Sequence, residues 1–350
     1  MAAPRKPYDP AEAIEPHVLA KLDPDFVTAW ADLMNKVPDP THVTTIEEVR
    51  ADPRVLAPPC ALDTKGRPRT AEKEVTSEDG AIVPVRVYYP DEAQHGPGPY
   101  PVHLNFHGGG FVLGNLSTES TLCLSMCEGA GVAVIDVNYR HCPEATWGKC
   151  FQDAWAALSW VRSEAGSGEL NVRADSVSLG GVSAGGHISL VLQHMARDAG
   201  VPLRLVMPTV PPSVDGLFYR FYTDSPFPSF HEFSRGPVLA FPRIKWFGEL
   251  CAPLDRRDEL RGVWPEWWFA PLKAPNFKDL CPALVRTAEC DPLRDEGEAY
   301  AMKLVAGGNK VTIKRYMGAP HTFMYMDFMK QKQQYDLDSI DALREAHGIK

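Results

Sequence analysis

Three side chains far apart in the chain have the types needed to act together, and each sits beside residues that bend the backbone sharply. Ser183 lies in Gly181-Val182-Ser183-Ala184-Gly185-Gly186. The preceding run Ser176–Gly180 alternates small polar and apolar residues and reads as a buried strand, whereas Ile188, Val191, Leu192, Met195 and Ala199 recur at helical spacing. Strand must therefore give way to helix within about two residues. Glycines at 181 and 185 remove side chains that would clash in such a turn and leave Ser183 at its apex, strained and exposed. A hydroxyl is a poor nucleophile until a base takes its proton, and that base needs an orienting carboxylate. His321, in Gly318-Ala319-Pro320-His321-Thr322-Phe323, is the candidate base, and Asp291, in Glu289-Cys290-Asp291-Pro292, is the candidate carboxylate. Glu289 is the alternative orienting group, and Asp295 reads as a first-turn helix carboxylate favoured by the macrodipole. His187 and His194, on the helix after the serine, have weaker claims as the base.

Attack on a carbonyl also needs donors for the oxyanion that forms. His107-Gly108-Gly109-Gly110-Phe111 follows an apolar run, and consecutive glycines let backbone N–H groups approach a substrate closely. The N–H groups of Gly108 and Gly109, with that of Ala184, are the expected oxyanion hole, and His107 is expected to prop the loop by hydrogen bonding.

These groups need a scaffold that brings loop ends together. Lys73–Ser77 and Val83–Tyr89, separated by Asp79-Gly80, read as a β-hairpin. Strand-like runs at Val102–Phe106, Val132–Val137, Ala283–Thr287 and Val311–Tyr316 then alternate with helical ones at Thr118–Glu128, Gln152–Glu164 and Glu296–Ala306. Short apolar strands alternating with helices predict an α/β fold, its mainly parallel sheet covered on both faces. In such a sheet Ser183, Asp291 and His321 all fall on loops at the carboxyl ends of strands. The stretch Pro208–Pro275 is rich in prolines and aromatic residues, too long for a bare loop, and reads as an inserted, partly helical cap. The expected organisation is an N-terminal helical cap segment over 1–70, core over 71–207, cap insertion over 208–275 and core again over 276–350. In the N-terminal part Phe26, Trp30, Leu33 and Met34 form an apolar stripe after Asp23-Pro24.

Composition narrows the partners. A net charge of −9 argues against nucleic acid or an anionic membrane surface. No apolar stretch approaches the roughly 18 residues of a membrane helix, and Met1–Ala13 lacks a secretory apolar core, so a cytoplasmic protein is expected. The eight cysteines, with Cys123 and Cys127 four apart, read as small apolar fillers of a reduced protein rather than a metal site. No cofactor and no metal are expected. Oligomeric state, a homodimer included, is left open.

The chain resembles the hormone-sensitive-lipase-like branch of the α/β-hydrolases. The resemblance rests on HGGGF at 107–111, Tyr139-Arg140 followed by Pro143-Glu144, GVSAGG at 181–186, DPLRDE at 291–296 and His321, in that order from about Val83 to Phe323. It implies carboxylic ester hydrolysis through an acyl-serine intermediate, and a cap built from the N-terminal helices and the insertion. Two positions depart from the family pattern. Val182 stands where an acidic residue is usual, and His141-Cys142 where leucine and alanine are common. The aromatic insertion points to a hydrophobic small-molecule ester, a natural product among the candidates. The same site used for a biosynthetic step without hydrolysis (lactonisation, acyl transfer, dehydration or cyclisation) is the second reading, and a ligand receptor on a hydrolase scaffold the third.

Overall fold

The computed structural model describes residues 7–36, 45–52 and 60–350; the stretches 1–6, 37–44 and 53–59, on which part of the reading of the N-terminal segment rests, lie outside the described residues. One eight-stranded sheet runs through the molecule in the order β1-β2-β4-β3-β5-β6-β7-β8. The strands are β1 (Thr70–Thr76), β2 (Ile82–Tyr88), β3 (Tyr100–Phe106), β4 (Ala133–Val137), β5 (Val172–Val182), β6 (Leu205–Thr209), β7 (Ala283–Cys290) and β8 (Val311–Pro320). β1 and β2 form the expected antiparallel hairpin, β2 is antiparallel to β4, and β3 to β8 are mutually parallel.

Strand periodicity sorts side chains onto two faces. Val102, Leu104 and Phe106 of β3 join Ile135 and Val137 of β4 in one apolar cluster, packed against helices Lys149–Arg162 and Ala184–Asp198 through Phe151, Leu158, Ile188 and Val191. Val134, Leu205 and Met207 face the other way, onto helices Ser120–Ala130 and Lys330–His347. On that second face β3 and β4 carry polar residues at the same level: Asn105 pairs in register with Asp136, and both are buried.

Two core elements escaped the sequence reading. β6 is a central strand of five residues with Pro208 inside it, a residue type that normally excludes a central position, and it begins just before the stretch assigned to the insertion. The C-terminal helix Lys330–His347 is dominated by polar residues and buries Tyr335, Ser339 and Leu343. In helix Pro24–Lys36, Phe26 and Met34 are buried as the stripe predicts, but Leu33 is 41% exposed. The insertion folds as short helices, including Pro228–Glu232, Phe241–Cys251, Arg257–Val263 and Glu266–Phe269. All eight cysteines are unpaired, and seven are buried.

Candidate active site

β5 ends at Val182, and helix Ala184–Asp198 begins one residue later. Ser183 between them has φ 55° and ψ −114°, a strained backbone for a residue with a Cβ. Glycine is required at position 185 because the helix crosses the end of β3 there. A Cβ on Gly185 would lie 1.7 Å from the Phe106 carbonyl oxygen, far inside contact distance. The Ser183 N–H donates to the Thr209 carbonyl at 2.8 Å, tying the turn to β6.

The sheet brings the three candidate residues to one place. His321 follows β8 directly and Asp291 follows β7. His321 Nε2 lies 3.0 Å from Ser183 Oγ, and His321 Nδ1 lies 2.8 Å from Asp291 Oδ2. Asp291 is fully buried, and its other oxygen accepts the Leu293 N–H at 2.9 Å, which fixes the carboxylate. The alternative carboxylate, Glu289, is engaged elsewhere: it accepts the Gly318 N–H at 2.7 Å. This bond spans the place where β8 bulges against β7, just before His321. Asp295 lies in the first turn of helix Arg294–Ala306, where it also accepts the Ser229 N–H at 2.7 Å and so ties the insertion to the core. His187 is held between the Pro212 and Trp268 carbonyls and His194 against Tyr300, both away from Ser183 Oγ.

The glycine loop requires a correction. Gly108 N–H is not free for an oxyanion, because it donates to Glu119 Oε1 at 2.7 Å. Gly109 and Gly110 N–H have no acceptor among the described residues, and Ala184 opens its helix, where backbone N–H groups lack intrahelical partners. Gly109, Gly110 and Ala184 all line the pocket with Ser183, which leaves their N–H groups as the candidate donors. His107 props the loop as expected: its Nδ1–H donates to the Gly108 carbonyl at 2.9 Å, while Tyr139 O–H donates to the His107 carbonyl at 2.7 Å. Burial pushes the His107 pKa down to about 4, so the ring is neutral. His141 packs edge-on against both rings, which gives that departure from the family pattern a structural use.

Glu119 was missed in sequence because the helical run read over Thr118–Glu128 passes through it, whereas the helix itself starts one residue later, at Ser120. It makes no cap bond. Its buried carboxylate turns inward instead and accepts from Gly108 N–H, from Tyr325 O–H at 2.5 Å and from Asn105 Nδ2 at 3.1 Å. Asn105 also donates to Asp136 at 2.9 Å. Burial pushes Glu119 up to about 8 and Asp136 up to about 7. The signal in the sequence was Val182. Its side chain is apolar and buried, and a carboxylate reaches the back of the oxyanion loop from Glu119 instead.

Above Ser183 lies a cavity of about 730 Å³. Its floor is the glycine loop with Ser183 and His321. Its walls include Val49 of the N-terminal segment and Leu217, Phe230, Ile244, Phe247 and Phe269 of the insertion.

An α/β-hydrolase-fold family model matches residues 103–325, which span the glycine loop, Ser183, Asp291 and His321. The chain belongs to that family. It is 34% identical over 291 residues to the carboxylesterase NlhH of Mycobacterium tuberculosis, covering 81% of this chain and 84% of the relative. It is 31% identical over 348 residues to an AB hydrolase superfamily protein of Schizosaccharomyces pombe, C1039.03, covering 95% and 96%. Among solved structures a bacterial heroin esterase superposes with a TM-score of 0.79 at 26% identity, covering 94% of this chain and 98% of that one. This α/β-hydrolase is a carboxylic ester hydrolase, and among its described residues no helix is long and apolar enough to cross a membrane.

Proposed function

We propose that the esterase cleaves esters of hydrophobic small molecules through an acyl-serine intermediate. The observation that carries this reading is the relay Ser183–His321–Asp291, at 3.0 and 2.8 Å, on the floor of a largely apolar cavity. His321 Nε2 takes the Ser183 proton as Oγ attacks the ester carbonyl, and Asp291 orients the imidazole and stabilises its charged form. The negative charge on the carbonyl oxygen is met by Gly109, Gly110 and Ala184 N–H, each such donor being worth about 10²–10³ in rate. His321 then protonates the leaving alcohol, and a water activated by the same imidazole releases the acid. The N-terminal segment and the insertion act as the cap, and their aromatic and aliphatic walls favour apolar substrates over charged polymers.

The test is a series of 4-nitrophenyl esters from acetyl to dodecanoyl, with wild type and Ser183→Ala. Loss of turnover to background in the alanine variant, and a single organophosphate adduct on Ser183 in wild type, are expected. Wild-type rates in the Ser183→Ala variant would overturn the reading.

A further inference from the structure

One cation lining the cavity is used neither by ester hydrolysis nor in an ion pair among the described residues. The cavity's ionisable lining residues, apart from His321, His187 and Tyr325, are Arg50, Asp63, Arg243 and Glu296. Arg50 is paired to both oxygens of Glu144, at 2.8 and 3.0 Å. Asp63 lies 4.0 Å from Arg86. Glu296 is engaged by backbone, its Oε1 accepting the Ser213 N–H at 2.6 Å and the Val214 N–H at 3.4 Å, and burial pushes its pKa up to about 8. Arg243 is different. Among the described residues its guanidinium has no carboxylate within 4 Å and no hydrogen-bond acceptor; it lies over the Trp246 ring at 5.5 Å. Burial depresses its pKa, with no acid acting in the opposite direction.

Its position relative to the reacting centre follows from its helix. Phe241–Cys251 is clamped onto the oxyanion loop: the Cys251 thiol meets the Gly110 carbonyl at 3.4 Å, and the Phe247 ring covers Gly110 so closely that a Cβ there would lie 2.4 Å from it. Arg243 is four residues before Phe247, one turn or about 6 Å along the same helix face. Both residues line the cavity. We infer that Arg243 is a specificity-determining residue that binds a carboxylate on the substrate, several bonds from the scissile ester, so that the preferred substrates are esters carrying one carboxylate. A planar monoanion matches the guanidinium fork and cancels its single charge, whereas a dianionic phosphate would bring an unmatched charge into an apolar pocket.

The inference rests on the esterase reading above, and the experiment separates the two. Two matched pairs are compared by kcat/KM: mono-4-nitrophenyl adipate with 4-nitrophenyl hexanoate, which puts the charge on the acyl side, and 4-acetoxybenzoate with its methyl ester, which puts it on the alcohol side. In at least one pair the ratio of anionic to neutral substrate falls by about tenfold or more in Arg243→Gln, the size of one charge-assisted hydrogen bond, and is largely retained in Arg243→Lys. Ratios in Arg243→Gln equal to wild type for both pairs overturn the inference and leave the esterase reading intact. Equal turnover of the neutral esters by wild type and Ser183→Ala, or none by either, overturns both.

Discussion

Replacing Glu119 tests whether the oxyanion loop is held from behind. In the wild type Gly108 N–H, Tyr325 O–H and Asn105 Nδ2 converge on its carboxylate at 2.7, 2.5 and 3.1 Å. Glu119→Ala leaves the first two donors buried without an acceptor, while Asn105 keeps its bond to Asp136. Each stranded donor costs about 1–3 kcal/mol, so the loss in stability is about 2–6 kcal/mol. The kinetic effect is separate from this. Gly108 precedes Gly109, so releasing its N–H lets the next two donors drift from the position the oxyanion will occupy. A misplacement near 1 Å costs about 10²-fold, and it falls on kcat because the oxyanion exists only beyond the ground state. Glu119→Gln keeps one carbonyl oxygen for Gly108 and Tyr325 but turns its amide toward that of Asn105. It is expected to lie between alanine and wild type in both properties. The assay is urea unfolding together with kcat and KM for 4-nitrophenyl butyrate. Wild-type kcat in a folded Glu119→Ala protein would refute the positioning role. A rise in KM with kcat unchanged would refute it equally.

The turn at Ser183 and the buried titratable groups make two further predictions. Gly185→Ala forces a methyl into the Phe106 carbonyl, and because both partners are backbone nothing flexible can yield; kcat/KM should fall at least about 100-fold with a clear drop in Tm. Its control, Gly168→Ala, meets nothing within 4 Å in helix Glu164–Leu170 and should stabilise by about 0.5–1 kcal/mol, so equal Tm changes in the two variants would contradict the geometry. Stability against pH should peak near 6.5. His107, His187, His194 and His347 are pushed by burial from 6.5 down to about 4, so the stability of keeping them neutral is complete above 6.5 and is lost as pH falls toward 4. Glu119 and Glu296, raised from 4.5 to about 8, and Asp136, raised from 3.8 to about 7, act in the opposite sense, and their contribution declines as pH rises to about 8. A Tm still climbing between pH 7 and 9 would contradict this.

The order of motifs along the chain already carried the chemistry. Small residues around Ser183, the proline after Asp291 and the loop bearing His321 are local signals, because tight turns restrict residue type wherever they occur. Alternating short strands and helices likewise carried the fold class. Helix and strand limits drifted by a few residues, and β6 was lost because Pro208 breaks the local pattern of a strand; its neighbours in the sheet compensate for that.

What only tertiary structure decided is where a side chain goes when the local sequence offers it two uses. Glu119 has the sequence context of an acid in the first turn of a helix, yet it faces the interior, where Gly108, Tyr325 and Asn105 present three donors from separate elements. That choice occupies the Gly108 N–H and places the Glu119 side chain behind the glycine loop, where Val182 offers no polar group. Glu289 and Asp291 are two residues apart and chemically alike; the bulge in β8 gives Glu289 to the Gly318 N–H and leaves Asp291 facing His321. Residue types and spacing can name the groups a reaction needs. Partner assignment among like groups depends on contacts between distant segments, which exist only once the chain has folded.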